Sequence, residues 1–312
     1  MRKLIFLTLL FFTNYVNGQS ADQFYKDALN FQKNEDYISA IETIKKAIEI
    51  DSINAEYFDL KAFFHLQLKE FQEAYDSHSK AISITPDKSY LYNNRGNFLM
   101  SIQEFDAAID DFNKAIELEK KDSLKYAYIS HRGTTKMLKR DLEGAYKDLI
   151  FAFEFDSSNV TTLTNLSSVC GRMGKSEEAI KYLIEADKIS PNDFAIQGNI
   201  GFQYQKLGQF QKSIEYFDKV VKLKPNDALG YSNRSYSKLK QGDIKGSLED
   251  INQSLNIYSE NPYAYRNRAL IFIEQKKFNE ACEDLSLAIK KKFTELYGDE
   301  VETLIKKYCA NK

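Results

Sequence analysis

A small residue recurs along the chain at a nearly constant interval. Starting from Ala40, the successive intervals are 34, 34, 37, 34, 34, 34 and 34 residues, and the single departure falls near residues 123–125. A period held this long indicates stacked repeats, which can extend over a chain of 312 residues as one quasi-linear array. The recurring residues are Ala40, Ala74, Ala108, Ala145, Ala179, Ser213, Ser247 and Ala281.

Two faces of each repeat follow from this periodicity. If the recurring residue is position 20 of a repeat, position 8 is also small in every repeat and position 27 is small in nearly all, whereas positions 4, 17 and 24 are mostly large and apolar. Positions 4, 8 and 11 share one helical face, and positions 17, 20, 24 and 27 share another. The position-8 residues are Ala28, Ala62, Gly96, Gly133, Ser167, Gly201, Ser235 and Ala269.

Helix-breaking residues separate the two helices of each repeat. Position 15 is glycine in three repeats, at Gly174, Gly208 and Gly242, and the four prolines lie near position 32 or at the start of the last repeat. Each repeat therefore reads as helix, turn, helix, turn. Small residues at positions 8 and 20 allow the paired helices to approach closely, and stacked neighbours complete the core that one hairpin cannot bury alone.

This pattern resembles the tetratricopeptide repeat family. The resemblance implies an all-α fold, a right-handed superhelical α-solenoid whose concave groove is lined by the first helix of each repeat. The chain departs from the family pattern in having no Trp at position 4 and in placing Gln197, Lys136, Lys238 and Ser176 at positions that are usually apolar. These departures predict weaker packing in repeats four to seven.

The periodicity predicts eight repeats between an N-terminal signal peptide and a C-terminal capping helix. Val301, Leu304, Ile305 and Tyr308 form the apolar stripe of the cap, which would cover the exposed face of the last repeat. The predicted segments are 1–18 (signal peptide), 21–54, 55–88, 89–122, 126–159, 160–193, 194–227, 228–261 and 262–295 (repeats), and 296–312 (cap).

The first 18 residues are typical of a secretory signal peptide. Arg2 and Lys3 precede an apolar run over 4–12, and Val16 and Gly18 occupy the −3 and −1 positions of a cleavage site. The run is shorter than the ~20 residues that span a bilayer, and no later stretch is long and apolar enough to do so. We therefore expect an exported protein without a membrane-spanning segment after cleavage, periplasmic or secreted, with a bacterial envelope favoured by composition.

Arginine and aspartate occur together at fixed positions of four repeats. Position 7 is Arg and position 23 is Asp in the same repeats, and the other four repeats have neither Arg at position 7 nor Asp at position 23. Pairing within a repeat accounts for all four cases, so we predict structural salt bridges between the two helices of a hairpin. The predicted pairs are Arg95–Asp111, Arg132–Asp148, Arg234–Asp250 and Arg268–Asp284.

Position 6, which faces the groove in this family, is asparagine in five of the last six repeats. A column of amides can hydrogen-bond an extended peptide backbone without reading its sequence, although asparagine can also be common at this position for no such reason. The column resembles the asparagine ladder of the superhelical tetratricopeptide domain of O-linked N-acetylglucosamine transferase. The predicted groove residues are Asn94, His131, Asn165, Asn199, Asn233 and Asn267, joined by Asn97, Phe202, Tyr236, Tyr263 and Arg266.

The three cysteines have separate expected roles. Cys170 occupies a core position, where a small apolar residue is expected. Cys282 lies early in the last second helix and Cys309 lies near the end of the cap, so antiparallel packing of these helices would bring them together. An oxidising compartment would permit a Cys282–Cys309 disulfide.

The sequence predicts a non-catalytic interaction scaffold that binds a protein or peptide partner in the groove. A net charge of −2 argues against a general nucleic-acid binder. We identify no catalytic constellation, metal site or cofactor motif, with three His and no Cys-x-x-Cys pair. Two alternatives stay open: a structural or assembly subunit of a cell-envelope complex that binds through its convex face, and an enzyme with a groove site near His131 and Asn165.

Overall fold

The computed structural model describes residues 19–309, so the signal-peptide prediction for residues 1–18 lies outside the described residues. Residues 19–309 form eighteen helices and no strand, which confirms the all-α class. The helices are α1 (Ala21–Lys33), α2 (Tyr37–Ile50), α3 (Ala55–Gln67), α4 (Phe71–Ile84), α5 (Ser89–Ser101), α6 (Phe105–Leu118), α7 (Asp122–Leu138), α8 (Leu142–Phe155), α9 (Val160–Arg172), α10 (Ser176–Ile189), α11 (Phe194–Lys206), α12 (Phe210–Leu223), α13 (Ala228–Gln241), α14 (Ile244–Ile257), α15 (Pro262–Glu274), α16 (Phe278–Lys290), α17 (Phe293–Tyr297) and α18 (Glu300–Tyr308).

The chain divides into two compact units, Met1–Tyr128 (unit 1) and Ile129–Lys312 (unit 2), and the boundary falls inside α7. Unit 1 contains α1–α6, and unit 2 contains α8–α18. From α1 to α6 and from α9 to α16, each odd-numbered first helix packs against the even-numbered second helix that follows it, and the Arg132–Asp148 ion pair joins α7 to α8. None of the helices in residues 19–309 has the combination of length and apolar character that crossing a membrane requires.

The small residues lie where paired helices meet. All eight position-20 residues, including Ala108, are completely buried, and Gly96 is buried on the facing helix. In the seventh hairpin both small residues are serines, and the Oγ of Ser235 and of Ser247 each donates to the other residue's carbonyl oxygen at 2.8 Å. The hydroxyls are therefore satisfied without separating the helices.

The turn inside each hairpin depends on one left-handed residue. Position 15 has a positive φ in all eight hairpins, from Glu35 at 57° to Gly242 at 88°. Five of these residues are not glycine and accept a conformation that costs roughly 1 kcal/mol for a side chain with a Cβ. The amide after each turn residue bonds back to the end of the first helix; for example, Asp36 N donates to Phe31 O at 3.0 Å.

Replacing Gly96 with alanine should destabilise the protein by about 1–3 kcal/mol, because a Cβ there would lie 2.8 Å from Cε1 of the fully buried Phe112 ring. Gly198→Ala is the matched control. Its Cβ would come no closer than 3.7 Å to Val220 Cγ2, so we expect a gain of up to about 1 kcal/mol. Urea unfolding of both variants tests the close approach, which would be refuted if both changes stabilised the protein.

Candidate functional site

A cavity of about 570 Å³ opens on the first helices of three consecutive hairpins in unit 1. Helices α1, α3 and α5 supply most of its lining, and the second helix α4 adds one side chain at the floor. The lining is largely aromatic and aliphatic, and its polar groups are two carboxylates, one imidazole, two amides and two tyrosine hydroxyls. The lining residues are Tyr25, Glu56, Asp59, Leu60, Phe63, Leu66, His78, Tyr90, Asn94, Asn97 and Phe98.

The carboxylate of Asp59 is held by two neighbours in this cavity. His78 Nδ1 lies 3.0 Å from Asp59 Oδ1, and Asn94 Nδ2 donates to Asp59 Oδ2 at 2.7 Å. A carboxylate only accepts hydrogen bonds, so Nδ1 of His78 carries the proton. The rings of His78 and Phe98 lie 5.7 Å apart. These two contacts hold the Asp59 side chain in place in the cavity lining.

Two acidic side chains, Glu56 and Asp59, lie among the residues that line the cavity. Burial raises the pKa of Tyr25 and of Tyr90, and the charges of Glu56 and Asp59 raise the pKa of both tyrosines further. No lysine or arginine is among the described residues that line the cavity. The two carboxylates therefore face an aromatic space in which no cationic side chain is present to neutralise them.

Of the predicted groove residues, Asn94 and Asn97 line this cavity. The other lining residues were not predicted from the sequence to lie in the groove. Glu56 and Tyr90 occupy position 2 of their repeats, Tyr25 and Asp59 occupy position 5, and Phe63 occupies position 9. These positions share a helical face with position 6. Applying positions 2, 5, 6 and 9 to the first three repeats would have identified the site from the sequence.

In unit 2 the predicted groove asparagines differ in their surroundings. Asn165 Nδ2 donates to Thr134 Oγ1 at 2.9 Å on the preceding first helix. Asn199 and Phe202 are exposed on α11, and Asn233 and Tyr236 are half-buried on α13. Asn165, Asn199 and Asn233 thus lie on three consecutive first helices with at least part of each side chain accessible.

Arg266 and Asn267, which were predicted to contribute to the groove, are buried. Arg266 is 7% exposed, forms an ion pair with Glu300 of α18, and lies between the rings of Tyr236 and Tyr263 at 5.2 and 5.3 Å. Asn267 is completely buried; it accepts from Arg266 Nη1 and donates to Ser232 O at 3.1 Å. The capping helix therefore pairs with Arg266, whereas Asn267 is bonded to Arg266 and to Ser232 of α13.

His131 is half-buried on α7, and burial lowers its pKa below the ordinary 6.5 because the charged ring would lose solvation. The unfolded chain therefore binds a proton at a higher pH than the folded chain. The stability that neutral His131 confers is complete above about pH 6.5 and is lost as the pH falls further. We expect His131→Asn, the residue found at position 6 elsewhere, to retain more of its stability below pH 6.5, as measured by urea unfolding; identical pH profiles would contradict this.

All four predicted Arg–Asp pairs are present as ion pairs between the two helices of one hairpin. Each arginine donates through Nε and Nη2 to the two oxygens of its aspartate, at 2.6–2.8 Å, and each aspartate is at most 6% exposed. A second cation joins two of the pairs. Lys136 Nζ lies 2.7 Å from Asp148 Oδ2, and Lys238 Nζ lies 2.8 Å from Asp250 Oδ2.

The three cysteines divide into one disulfide-bonded pair and one buried free thiol. Cys282 and Cys309 form a disulfide that joins α16 to the end of α18, with Cα atoms 5.9 Å apart. Cys170 is a free, completely buried thiol, and burial raises its pKa to about 12, so it is not a nucleophile at neutral pH. Residues 19–309 contain no group of three or more His, Cys, Asp and Glu placed to hold a metal ion.

Two family models of the tetratricopeptide repeat match three segments, one at 89–122 and 195–227 and the other at 160–193. A search of curated proteins finds no match. Among solved structures, the chain is similar to the Cut9–Hcn1 hetero-tetramer of APC/C (16% identity, TM-score 0.62, 93% of this chain and 56% of that chain). It is also similar to PilW, a type IV pilus biogenesis factor (19%, 0.60, 65% and 93%), and to YrrB, a protein described as having an unusual peptide-binding site (21%, 0.50, 60% and 95%).

The chain spans little more than half the length of the Cut9–Hcn1 chain that it matches. At identities of 16–21%, these similarities show the fold alone. They agree with the family models and with the paired packing of α1–α16. The chain contains tetratricopeptide repeats, a fold that suggests a scaffold for protein–protein interaction.

Proposed function

We propose that the protein is a non-catalytic scaffold that binds an extended segment of a protein partner on the exposed face of its first helices. The cavity across α1, α3 and α5 carries this proposal, because it crosses three consecutive repeats and presents polar groups among aromatic walls. Tetratricopeptide repeats are generally non-catalytic scaffolds, and no described residue in the cavity forms a nucleophile-and-base pair like that of a hydrolase.

In unit 2, we propose that Asn165, Asn199 and Asn233 hydrogen-bond the backbone of the same kind of partner segment. Their side chains are exposed or half-buried on α9, α11 and α13, and a side-chain amide can both donate to and accept from a peptide backbone. Asn165 keeps its Oδ1 available while Nδ2 is bonded to Thr134. The amides would give affinity without sequence specificity.

Capture of partners from the native cell envelope by the chain without residues 1–18 tests this function. We expect Asn97→Trp, which fills the unit 1 cavity, and the triple change of Asn165, Asn199 and Asn233 to Ala each to reduce recovery of the captured partner at least about tenfold, as a loss of 1.4 kcal/mol or more would do. Asn256→Ala, at an exposed position on the second helix α14, should leave recovery unchanged. Unchanged recovery with both groove variants would refute the proposal.

We propose further that the protein is exported and processed after Gly18. The Cys282–Cys309 disulfide supports this location, because disulfides persist in oxidising compartments and are rare in the cytosol. Mass spectrometry of the protein purified from its native cells should give an N-terminus at Gln19. Recovery of the chain with residues 1–18 attached would contradict export by this route.

Binding through second helices is the alternative function, and exposed aromatic pairs favour it. Phe151 and Phe155 are 47% and 48% exposed one turn apart on α8, and Phe71 and Tyr75 are 45% and 41% exposed on α4. Exposed apolar side chains on one helical face often mark an interface. If changing Phe151 and Phe155 to Ser abolished partner capture while the groove variants did not, the second-helix surface would be the binding site.

A further inference from the structure

The two acidic side chains that line the unit 1 cavity, Glu56 and Asp59, can only accept hydrogen bonds as carboxylates. The Nδ1–H of His78 is used by Asp59, and the described residues supply no hydrogen-bond partner for its Nε2. The side chain of His78 is only 6% exposed, and His78 lines the cavity. The carboxylates of Asp59 and Glu56 are therefore the two acceptor-only groups that a bound donor could satisfy.

The charge of the cavity agrees with its hydrogen bonding. Asp59 keeps a 17% exposed side chain, Glu56 is exposed, and both raise the pKa of the tyrosines on opposite sides of α3. An anionic ligand would meet two like charges, and a neutral ligand would leave both carboxylates without a counter-ion. A cationic group satisfies the charges and the acceptors at once.

The aromatic walls suit the same kind of ligand. Tyr25, Tyr90 and Phe63 line the cavity beside the carboxylates, and the faces of such rings attract ammonium and guanidinium groups. The aliphatic stem of a lysine or arginine would pack against Leu60 and Leu66, which are also in the lining. Few other side chains combine an apolar stem with a terminal group that only donates.

We propose that this cavity is the binding site for a basic side chain, lysine or arginine, of the partner segment. The inference rests on the proposed scaffold function and adds a specificity to it. The segment would lie across α1, α3 and α5, and its basic side chain would bind between Tyr25 and Tyr90 toward Asp59 and His78. Backbone contacts elsewhere in the groove would be independent of sequence, so this cavity would select which segments bind.

Peptide pools with one fixed central residue test this specificity. We would label capped nine-residue peptides with fluorescein, randomise their uncharged flanks, and fix the centre as Arg, Lys, citrulline, norleucine or Glu. Binding to the chain of residues 19–312 would be measured by fluorescence anisotropy. The Arg and Lys pools should bind at least about tenfold more tightly than the citrulline, norleucine and Glu pools.

Variants that remove the carboxylates of the cavity test whether the preference for Arg and Lys arises there. Glu56→Gln should weaken the Arg and Lys pools about threefold to tenfold, and adding Asp59→Asn should abolish their advantage over citrulline. Glu42→Gln removes an exposed carboxylate from α2, outside the cavity lining, and should change nothing. Circular dichroism spectra and Tm values would establish that each variant is folded; if the double variant is not, the single change still decides.

The results of these experiments distinguish failure of the basic-side-chain site from failure of peptide binding itself. Equal binding of all five pools would overturn the basic-side-chain site and leave peptide binding standing. A preference for Arg and Lys that survives both cavity variants would overturn the assignment to this cavity. If no pool binds, both the inference and peptide binding in the groove are refuted.

Discussion

Asp250→Ala is expected to destabilise the protein by about 3–5 kcal/mol, because it leaves two partly buried cations without their counter-ion. Asp250 is 5% exposed and bonds Arg234 through both carboxylate oxygens, while Lys238 lies 2.8 Å from Oδ2. Arg234 keeps a second, exposed partner in Asp218, but Lys238 has no other ion pair among the described residues. Urea unfolding, followed by far-UV circular dichroism, measures the loss.

Two further variants identify the cause. Asp284→Ala removes an aspartate that holds one cation, Arg268, and should cost less than Asp250→Ala. Adding Lys238→Leu to Asp250→Ala should recover part of the lost stability, because it removes one of the stranded charges and restores the apolar residue usual at this position. If Asp250→Ala costs no more than Asp284→Ala, the lysine contributes nothing to the pair.

Lys136 and Lys238 form ion pairs that the repeat pattern did not predict. Position 11 is normally apolar, so Lys136 and Lys238 predicted weaker packing, but the structure places each against the aspartate of its own hairpin. They occur in two of the four repeats that carry the Arg–Asp pair. Because position 11 lies one helical turn after position 7, both cations reach the same carboxylate, and testing position 11 against position 23 would have revealed the triad.

Two other residues that depart from the family pattern, Gln197 and Ser176, have surroundings unlike those of the lysines. Gln197, at a normally large apolar position, is buried and donates from Nε2 to Asp187, while its Oε1 has no partner. Ser176 is buried at another such position. These residues fit the expectation of weaker packing in the middle repeats better than the lysines do. Periodicity predicts which positions are buried, but not whether a polar residue there will find a partner.

The helical hairpins were predictable because small residues at a fixed spacing mark where two helices can pack closely against each other. The candidate site was less predictable because it depends on side chains from four helices. Asn94 was identified by its position, yet the structure uses its amide to hold Asp59, which lies 35 residues earlier. His78 occupies position 24, which is mostly large and apolar in the other repeats; it is buried, but it also lines the cavity.

The capping helix α18 contacts the first helix of the last hairpin, and the repeat pattern alone does not predict this contact. Arg266 and Tyr263 occupy groove positions, but α18 follows the last hairpin and brings Glu300 onto Arg266. A ninth repeat would have left these residues on an open face. Arg266 is therefore paired within the chain, and under the proposed function we expect partner binding on the preceding first helices.

Replacing both Cys282 and Cys309 with serine should destabilise the packing of α18 by about 3–4 kcal/mol. The disulfide closes a 27-residue separation, and opening it restores the conformational entropy of that loop in the unfolded state. Val301 is completely buried and Phe293 nearly so in this terminal cluster, so loss of α18 would also expose apolar surface on α15 and α16. Hydrogen exchange of residues 300–308 should accelerate by more than about 100-fold.

The effect should be confined to the last hairpin and its cap, because each repeat in such an array contacts only its neighbours. Exchange in α3 to α6 should be unchanged in the double serine variant. Dithiothreitol should reproduce the faster exchange in the unmodified protein and have no effect on the variant, which separates loss of the bond from any effect of the serines. Unchanged exchange at 300–308 after reduction would mean that the Arg266–Glu300 pair and the apolar contacts of Val301 hold the cap without covalent help.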